Sequence, residues 1–218
     1  MRNNIAIIGL SSFGFYLCKY LSQSGVQVMA IDTNEDRIEQ VKTFVKKAIV
    51  ANATEKTTLQ NIHIEDFDAV VISVGEKIDQ SVLITLHLRE LGVKEIYAKA
   101  TTTEHAKVLT LLGVSDIIFP ERDIARRFAH TLRRQGLFDY FSIGDEYSVI
   151  ELAPPQSWIG KTLSEIKIRQ KYNVQVIVIK EIVPDNIIMI PSGRHVLKDS
   201  DILVILGKEK DIEKIETI

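Results

Sequence analysis

Residues 9 to 14 carry the glycine spacing of a phosphate-binding turn. The segment IAIIGLSSFGFYL, residues 5–17, places a short apolar run before this turn and a helical pattern after it. In G-x-G-x-x-G turns, backbone amides at the helix N-terminus approach a nucleotide pyrophosphate. Here a serine replaces the middle glycine, so its Cβ crowds that approach while its hydroxyl adds a polar group. The expected phosphate turn consists of Gly9, Ser11, Ser12, Phe13 and Gly14.

A carboxylate follows the second apolar run at the spacing of a ribose ligand. Asp32 ends the run in VMAIDTN, 18 residues after Gly14, and Thr33 follows it. A carboxylate at this strand end accepts hydrogen bonds from ribose hydroxyls and repels the 2′-phosphate of NADP. The alternative is that Asp32 caps the next helix. The spacing favours an unphosphorylated adenosine ribose.

Three further runs also end in residues that suit a ligand crevice. VANATE places Asn52, Ala53 and Thr54 where they could bind adenine or cap the next helix, and both roles remain open. Gly75 in VISVGEK could lie beside the ligand or only form a turn. Lys99 in IYAKA could meet a phosphate, pair with a carboxylate, or remain solvated.

The elements that must position these residues alternate between strand and helix up to residue 137. Such alternation predicts a doubly wound, parallel, Rossmann-like α/β sheet whose ligand lies beyond the carboxyl ends of its strands. The predicted strands are 5–8, 26–31, 47–50, 69–74, 95–98 and 116–119, and the predicted helices are 13–23, 35–44, 55–60, 77–91, 102–112 and 121–135.

The pattern changes after Gly136 and predicts a second, smaller α+β domain. Its strands are expected at 147–152, 174–181, 187–190 and 202–206, and its helices at 162–171 and 209–216. The bridge FDYFSIGDE has no long linker composition and predicts a short hinge. The domains are therefore expected at 1–137, including the last long helix, and at 138–218.

Composition limits the classes of function. The chain has 218 residues, 45% of them hydrophobic, and a net charge of -2, so it should be globular with no overall attraction to nucleic acid. Its single cysteine, Cys18, excludes an internal disulfide framework and favours a reducing, cytoplasmic location. No apolar run has the ~20 residues of a membrane helix, and no signal peptide is expected, so any membrane role would act through a partner.

Two other functions are compatible with parts of this sequence. An NAD-dependent oxidoreductase would use the same fold, but the five histidines are scattered and the second domain is small, so we expect no enzyme. DNA binding is suggested by ERDIARRFAHTLRRQ, residues 121–135. There Ile124, Phe128 and Leu132 form one apolar stripe and the arginines occupy the other faces, so we expect no nucleic-acid partner.

Eight motifs, taken in their order along the sequence, resemble one family over essentially the whole chain. They are GLSSFG, AIDTN, VANAT, VISVG, YAKA, IIFPERDIA, DEYSVIEL and IRQKYNVQVIVI. They are similar to RCK proteins, the cytosolic gating subunits of Ktr and Trk potassium transporters, and most to the single-RCK Ktr form. The resemblance implies homodimers assembled into an octameric ring, peripheral to the membrane on a membrane-embedded potassium-translocating subunit.

The resemblance also implies ligands. ATP or ADP, or NAD or NADH, would bind at the turn and shift the ring between conformations. Glu121 in FPERD would help hold Mg²⁺, Ca²⁺ or a monovalent cation near the phosphates; without the family it reads as a first-turn acid that favours the helix dipole. Ile168, Arg169 and Pro191 match positions that line a cyclic di-AMP site in some Ktr subunits.

The chain departs from the family's usual G-x-G-R-F-G turn at two positions. Ser11 replaces a glycine, which tightens the approach of the pyrophosphate, and Ser12 replaces an arginine that reaches the terminal phosphate. We therefore expect weaker nucleotide binding and poorer discrimination of ATP from ADP than in the family.

Overall fold

The chain divides into two compact units, Met1–Pro120 and Glu121–Ile218. A computed structural model describes residues 2–74, 77–133, 137–143 and 146–216. Gly75, a predicted site residue, lies outside the described residues.

The first unit is built on a parallel sheet of six strands in the order β3-β2-β1-β4-β5-β6. Its described strands are β1 Asn4–Ile8, β2 Gln27–Asp32, β3 Lys47–Val50, β4 Ala69–Ile72, β5 Ile96–Lys99 and β6 Asp116–Ile118. Its described helices are α1 Ser12–Gln23, α2 Glu35–Val41, α3 Lys56–Asn61, α4 Ile78–Glu90 and α5 Thr103–Leu111. The predicted Rossmann-like class is confirmed, including all six strands of this unit.

Both faces of this sheet are covered, which explains its near-continuous apolar strands. Successive side chains of a strand point to opposite faces. Ile5 and Ile7 of β1 pack in a cluster with Cys18 of α1, whereas Ile8 packs in a separate cluster with Ile84 of α4. The sheet is therefore a rigid layer whose carboxyl edge carries the connecting loops.

The second unit contains a five-stranded antiparallel sheet in the order β10-β9-β11-β8-β7. Its core includes Trp158, which is 3% exposed. The described elements are α6 Pro120–Arg133, which starts at the last residue of the first unit, β7 Leu137–Ile143, β8 Tyr147–Leu152, α7 Leu163–Ile166, α8 Ile168–Tyr172, β9 Gln175–Glu181, β10 Asn186–Met189, β11 Asp201–Lys208 and α9 Glu209–Glu216. The predicted smaller α+β domain is confirmed.

Two local predictions in this half were wrong. The expected hinge at FDYFSIGDE is strand β7 over residues 137–143, where the buried Tyr140 donates a hydrogen bond from its hydroxyl to Glu209 Oε1 (3.1 Å). The expected helix at 162–171 is interrupted at Lys167, whose φ of +54° ends α7 before α8 begins. The domain boundary after residue 137 stays a prediction; the two compact units divide after Pro120.

Within the part of the chain that is described, no helix is both long and apolar enough to cross a membrane.

Candidate functional site

The turn between β1 and α1 requires glycine at its two ends. Gly9 has a φ of +92°, and a Cβ there would lie 2.5 Å from the carbonyl oxygen of Ser73. A Cβ at Gly14 would collide with the carbonyl oxygen of Gly9. Ser11, in the middle, has a φ of -57°, which any residue adopts. The backbone therefore keeps the shape of a phosphate turn although the middle glycine is missing.

The Ser11 side chain takes part in the hydrogen bonding of the turn. Its side-chain oxygen lies 2.7 Å from the hydroxyl oxygen of the fully buried Ser73, which follows β4. Ser11 is also the N-cap of α1 and accepts a long hydrogen bond of 3.5 Å from the Gly14 amide. A hydroxyl thus stands at the helix N-terminus where backbone donors attract phosphate. A phosphate here must share this space with the serine.

Asp32 holds the turn from the adjacent strand. Its buried carboxylate accepts hydrogen bonds from the Leu10 amide (2.6 Å) and the Asn34 amide (2.8 Å). The N-cap of α2 is Asn34, whose side chain accepts from the Arg37 amide, so Asp32 does not cap this helix. Arg37 in turn places its guanidinium 3.7 Å from Asp32. The carboxylate is fixed at the end of β2, with its charge partly compensated.

A cavity of about 390 Å³ opens at the carboxyl ends of β1 to β4. That volume falls within the range of small-molecule and cofactor sites. Its described lining consists of Ile8, Gly9, Ser11, Ile31, Asp32, Thr33, Arg37, Ala51, Asn52, Ala53, Thr54, Ser73, Val74, Lys77, Gln80 and Ile84. The fold therefore gathers the predicted Gly9, Ser11, Asp32, Thr33 and the 52–54 segment around one space.

The 52–54 segment is held by its own side chains. Asn52 Oδ1 accepts hydrogen bonds from the Thr54 amide (3.1 Å) and hydroxyl (2.8 Å). Its Nδ2 donates to Glu55 Oε1 (3.1 Å). These bonds favour a loop-stabilising role for both side chains. Ala53, between them, also lines the cavity.

Other predicted residues stand apart from the cavity lining. Ser12 and Phe13 belong to the first turn of α1, with Ser12 exposed. Lys99 is buried at the end of β5, two strands away from β1 in the sheet. Glu121 is an exposed residue of α6 in the second unit. No group of three or more His, Cys, Asp or Glu side chains among the described residues is arranged to hold a metal. The ligand roles of these residues stay predictions.

Sequence reasoning missed four polar lining residues: Arg37, Ser73, Lys77 and Gln80. A signal existed for two of them. Ser73 follows β4, and Lys77 is the N-cap position of α4, both at the sheet edge where ligands bind. Arg37 and Gln80 lie inside helices, where spacing gives no indication that they face the crevice.

A second cavity, of about 200 Å³, lies in the second unit. The three residues predicted there, Ile168, Arg169 and Pro191, all line it. The full described lining is Leu163, Ser164, Ile168, Arg169, Gln170, Val174, Gln175, Val176, Pro191 and Gly193. One wall is tight: the Ser164 amide donates to the Gly193 carbonyl (2.9 Å), and a Cβ at Gly193 would collide with the Ser164 hydroxyl.

The described lining of the first cavity has three ionisable side chains, Asp32, Arg37 and Lys77, and that of the second has one, Arg169. No histidine or cysteine lies in either described lining. Cys18 is fully buried, which raises the pKa of its thiol to about 12, so it behaves as a small apolar side chain. His105 is buried in α5, and desolvation lowers its pKa. Neither Cys18 nor His105 belongs to the described lining of either cavity.

Fold and cavity together define a Rossmann-type domain followed by a small antiparallel-sheet domain. Family comparisons assign the same two parts: a TrkA-N domain matches residues 5–120 and a TrkA-C domain matches residues 148–218. The chain is 37% identical to Ktr system potassium uptake protein C of Bacillus subtilis, over 99% of this chain and 97% of that protein. It is 35% identical to Ktr system potassium uptake protein A of Vibrio alginolyticus, over 98% and 96%.

The chain therefore belongs to the family of Ktr system potassium uptake proteins, and the resemblance predicted from its motifs is confirmed. Among solved structures, it matches the RCK domain of GsuK with a TM-score of 0.68 at 19% identity, covering 100% of this chain and 47% of that one. It also matches the GsuK channel bound to NAD, with a TM-score of 0.67 at 20% identity, over 99% and 39%. These likenesses show the RCK fold.

Proposed function

We propose that this protein is the nucleotide-sensing cytoplasmic regulatory subunit of a Ktr-type potassium uptake system. The observation that carries the proposal is the cavity at the carboxyl ends of β1 to β4, where the glycine turn and the buried Asp32 face one space. Relatives that share the whole chain at 35–37% identity are potassium uptake proteins. A membrane-embedded potassium-translocating subunit is the partner this role requires.

The ligand of the first cavity is an adenine nucleotide, with ATP or ADP favoured and NAD or NADH as the alternatives. A turn with positive φ at Gly9, an adjacent helix N-terminus and a ribose-facing carboxylate suit the shared adenosine phosphate portion. A similarly folded channel is bound to NAD, which supports a nucleotide as the class of ligand. Glu121 would hold a cation for the phosphates, and the second cavity would take cyclic di-AMP on Arg169.

The subunits assemble through exposed apolar surface of α6. Ile124, Phe128 and Leu132 are 59%, 59% and 72% exposed on one stripe. Burying such a stripe against a second copy is favourable by roughly 25 cal/mol per Å² of apolar surface. Two of the α6 arginines already have acidic neighbours, Arg122 with Asp123 and Arg127 with Asp139, which favours a subunit contact over DNA. Dimers would build the octameric ring.

Regulation in this proposal is binding without turnover. A nucleotide shifts the ring only by the difference between its affinities for the two ring states. The supporting observation is that the relatives matching the whole chain at 35–37% identity are potassium uptake proteins.

Thermal unfolding of the purified protein with adenosine, AMP, ADP, ATP, NAD and NADH tests the nucleotide claim. A ligand that binds only the folded state at 100 times its Kd stabilises by about 2.7 kcal/mol. We expect a clear rise in Tm with ADP or ATP, and no consumption of NADH or ATP over the same period. Unchanged Tm with every nucleotide would refute the proposal.

A further inference from the structure

Lys77 is the lining cation of the first cavity that has no carboxylate partner among the described residues. Arg37 also lines the cavity, but its guanidinium stands 3.7 Å from the Asp32 carboxylate. Lys77 is exposed and makes no ion pair within the described part of the chain. Its charge is therefore available to an anionic group in the cavity.

Helices α1 and α4 both begin at this cavity, and their first turns differ. The N-cap of α1 is Ser11, whose own side chain takes the Gly14 amide. The N-cap of α4 is Lys77, and no side-chain hydrogen bond caps that helix. Asp79, in the first turn of α4, is absent from the cavity lining. The N-terminus of α4 therefore offers backbone donors and the positive end of a helix dipole, and no side chain among the described residues occupies these donors.

The strand order gives the direction of a bound nucleotide. Asp32 ends β2, the glycine turn follows β1, and Lys77 comes after β4, in the sheet order β3-β2-β1-β4. An adenosine held at Asp32 sends its first phosphate over the turn after β1. The next phosphates then point toward β4 and α4, where the free cation lies. The turn itself carries no cation, since Ser11 and Ser12 are both neutral.

We propose that Lys77 binds the outer phosphates of the nucleotide and thereby favours ADP and ATP over adenosine. This inference rests on the proposed function, because it assumes that an adenine nucleotide occupies the cavity. Adenosine has no anionic group for the ammonium to bind, whereas ADP and ATP would place one or two charged phosphate groups on its side. Charge-assisted hydrogen bonds to phosphate are about twice as strong as neutral ones.

The experiment measures calorimetric Kd values for adenosine, AMP, ADP and ATP with wild type, Lys77→Gln and Lys77→Arg. Lys94→Gln is the matched control, since Lys94 is an exposed lysine of the same unit outside the cavity lining. We expect Lys77→Gln to weaken ADP and ATP roughly tenfold, which corresponds to about 1.4 kcal/mol, and to leave adenosine unchanged. Lys77→Arg should restore most of the affinity.

Equal weakening of adenosine and ADP would overturn the inference, because Lys77 would then contact the nucleoside. Unchanged affinities for all four ligands would overturn it as well. If wild type binds none of them, the proposed function fails together with the inference, which separates that outcome from a failure confined to Lys77. Circular dichroism of each variant verifies folding before titration.

Discussion

The hydroxyl pair between Ser11 and Ser73 predicts a measurable energetic coupling across the phosphate turn. The two oxygens lie 2.7 Å apart, and Ser73 is fully buried while Ser11 is partly exposed. The substitutions are Ser11→Ala, Ser73→Ala and the double variant. Their effects on the free energy of unfolding should not add, because both single changes break the same hydrogen bond.

The magnitude follows from burial. Ser11→Ala removes the α1 cap and leaves the Ser73 hydroxyl unpaired in the interior, which together cost about 2 kcal/mol. Ser73→Ala costs about 1 kcal/mol, because the Ser11 hydroxyl can turn to water. When Ser11 is already alanine, removing the Ser73 hydroxyl removes an orphaned group and costs nearly nothing. We therefore expect a coupling energy of about 1 kcal/mol.

The assay is urea unfolding followed by circular dichroism, together with hydrogen exchange of the α1 amides. Trp158, the single tryptophan, lies in the core of the second unit, so its fluorescence reports that unit separately. Thr110→Ala combined with Ser73→Ala is the control pair, since Thr110 is exposed on α5 and bonds the Ala106 carbonyl (2.9 Å). This pair should be additive within about 0.5 kcal/mol.

Additivity of Ser11→Ala and Ser73→Ala within that same margin would refute the reasoning. It would mean that the hydroxyl pair contributes nothing in solution and that the serine in the turn is a passive replacement for glycine.

Three further predictions concern the same unit. Asp32→Ala should weaken adenosine binding about tenfold and destabilise the unit by about 1–3 kcal/mol, because the buried Leu10 amide loses its acceptor; unchanged Kd in calorimetry would show that Asp32 only positions the turn. The double variant Ser11→Gly, Ser12→Arg should bind ATP more tightly than wild type, and equal or weaker binding would contradict the crowding of the turn. Burial lowers the pKa of His105 in the folded state, so its neutral form supports stability above pH 6.5 and that support is lost as the pH falls below 6.5. When the pH is lowered from 7.5 to 5.5, the urea midpoint should therefore fall less for His105→Gln than for wild type. The difference in the free energy of unfolding should be at most about 1.4 kcal/mol per pH unit.

The first unit could be predicted from sequence because its signals are local. Each strand is a short apolar run, and several turns have a glycine at positive φ, as at Gly9 (+92°), Gly25 (+82°) and Gly92 (+81°). The register of β1 against β2 then brings Ile8 opposite Ile31, so the carboxyl ends meet without further information. Spacing along the chain is enough when the fold repeats one unit.

The second unit was less predictable because its signals are tertiary. Residues 137–143 read as a connection, since LFDYFSI does not alternate strictly between apolar and polar residues and lies between Gly136 and Gly144. They form β7 because Tyr140 packs into the core and its hydroxyl reaches Glu209, 69 residues further along the chain. Lys167 likewise interrupts a helical pattern through a left-handed conformation that a lysine rarely adopts.

The candidate site shows the same division at the level of single residues. Motif spacing found Gly9 and Asp32, because each has a fixed sequence distance from a strand end. Motif spacing could not show that the Arg37 guanidinium compensates the charge of Asp32. Nor could it show that Lys77 is the cation of the described lining without an acidic partner. Both depend on which helices meet at the edge of the sheet. The specificity of a phosphate site is set by that balance, so a chain with a family turn can differ in ligand preference through residues that lie outside the motif.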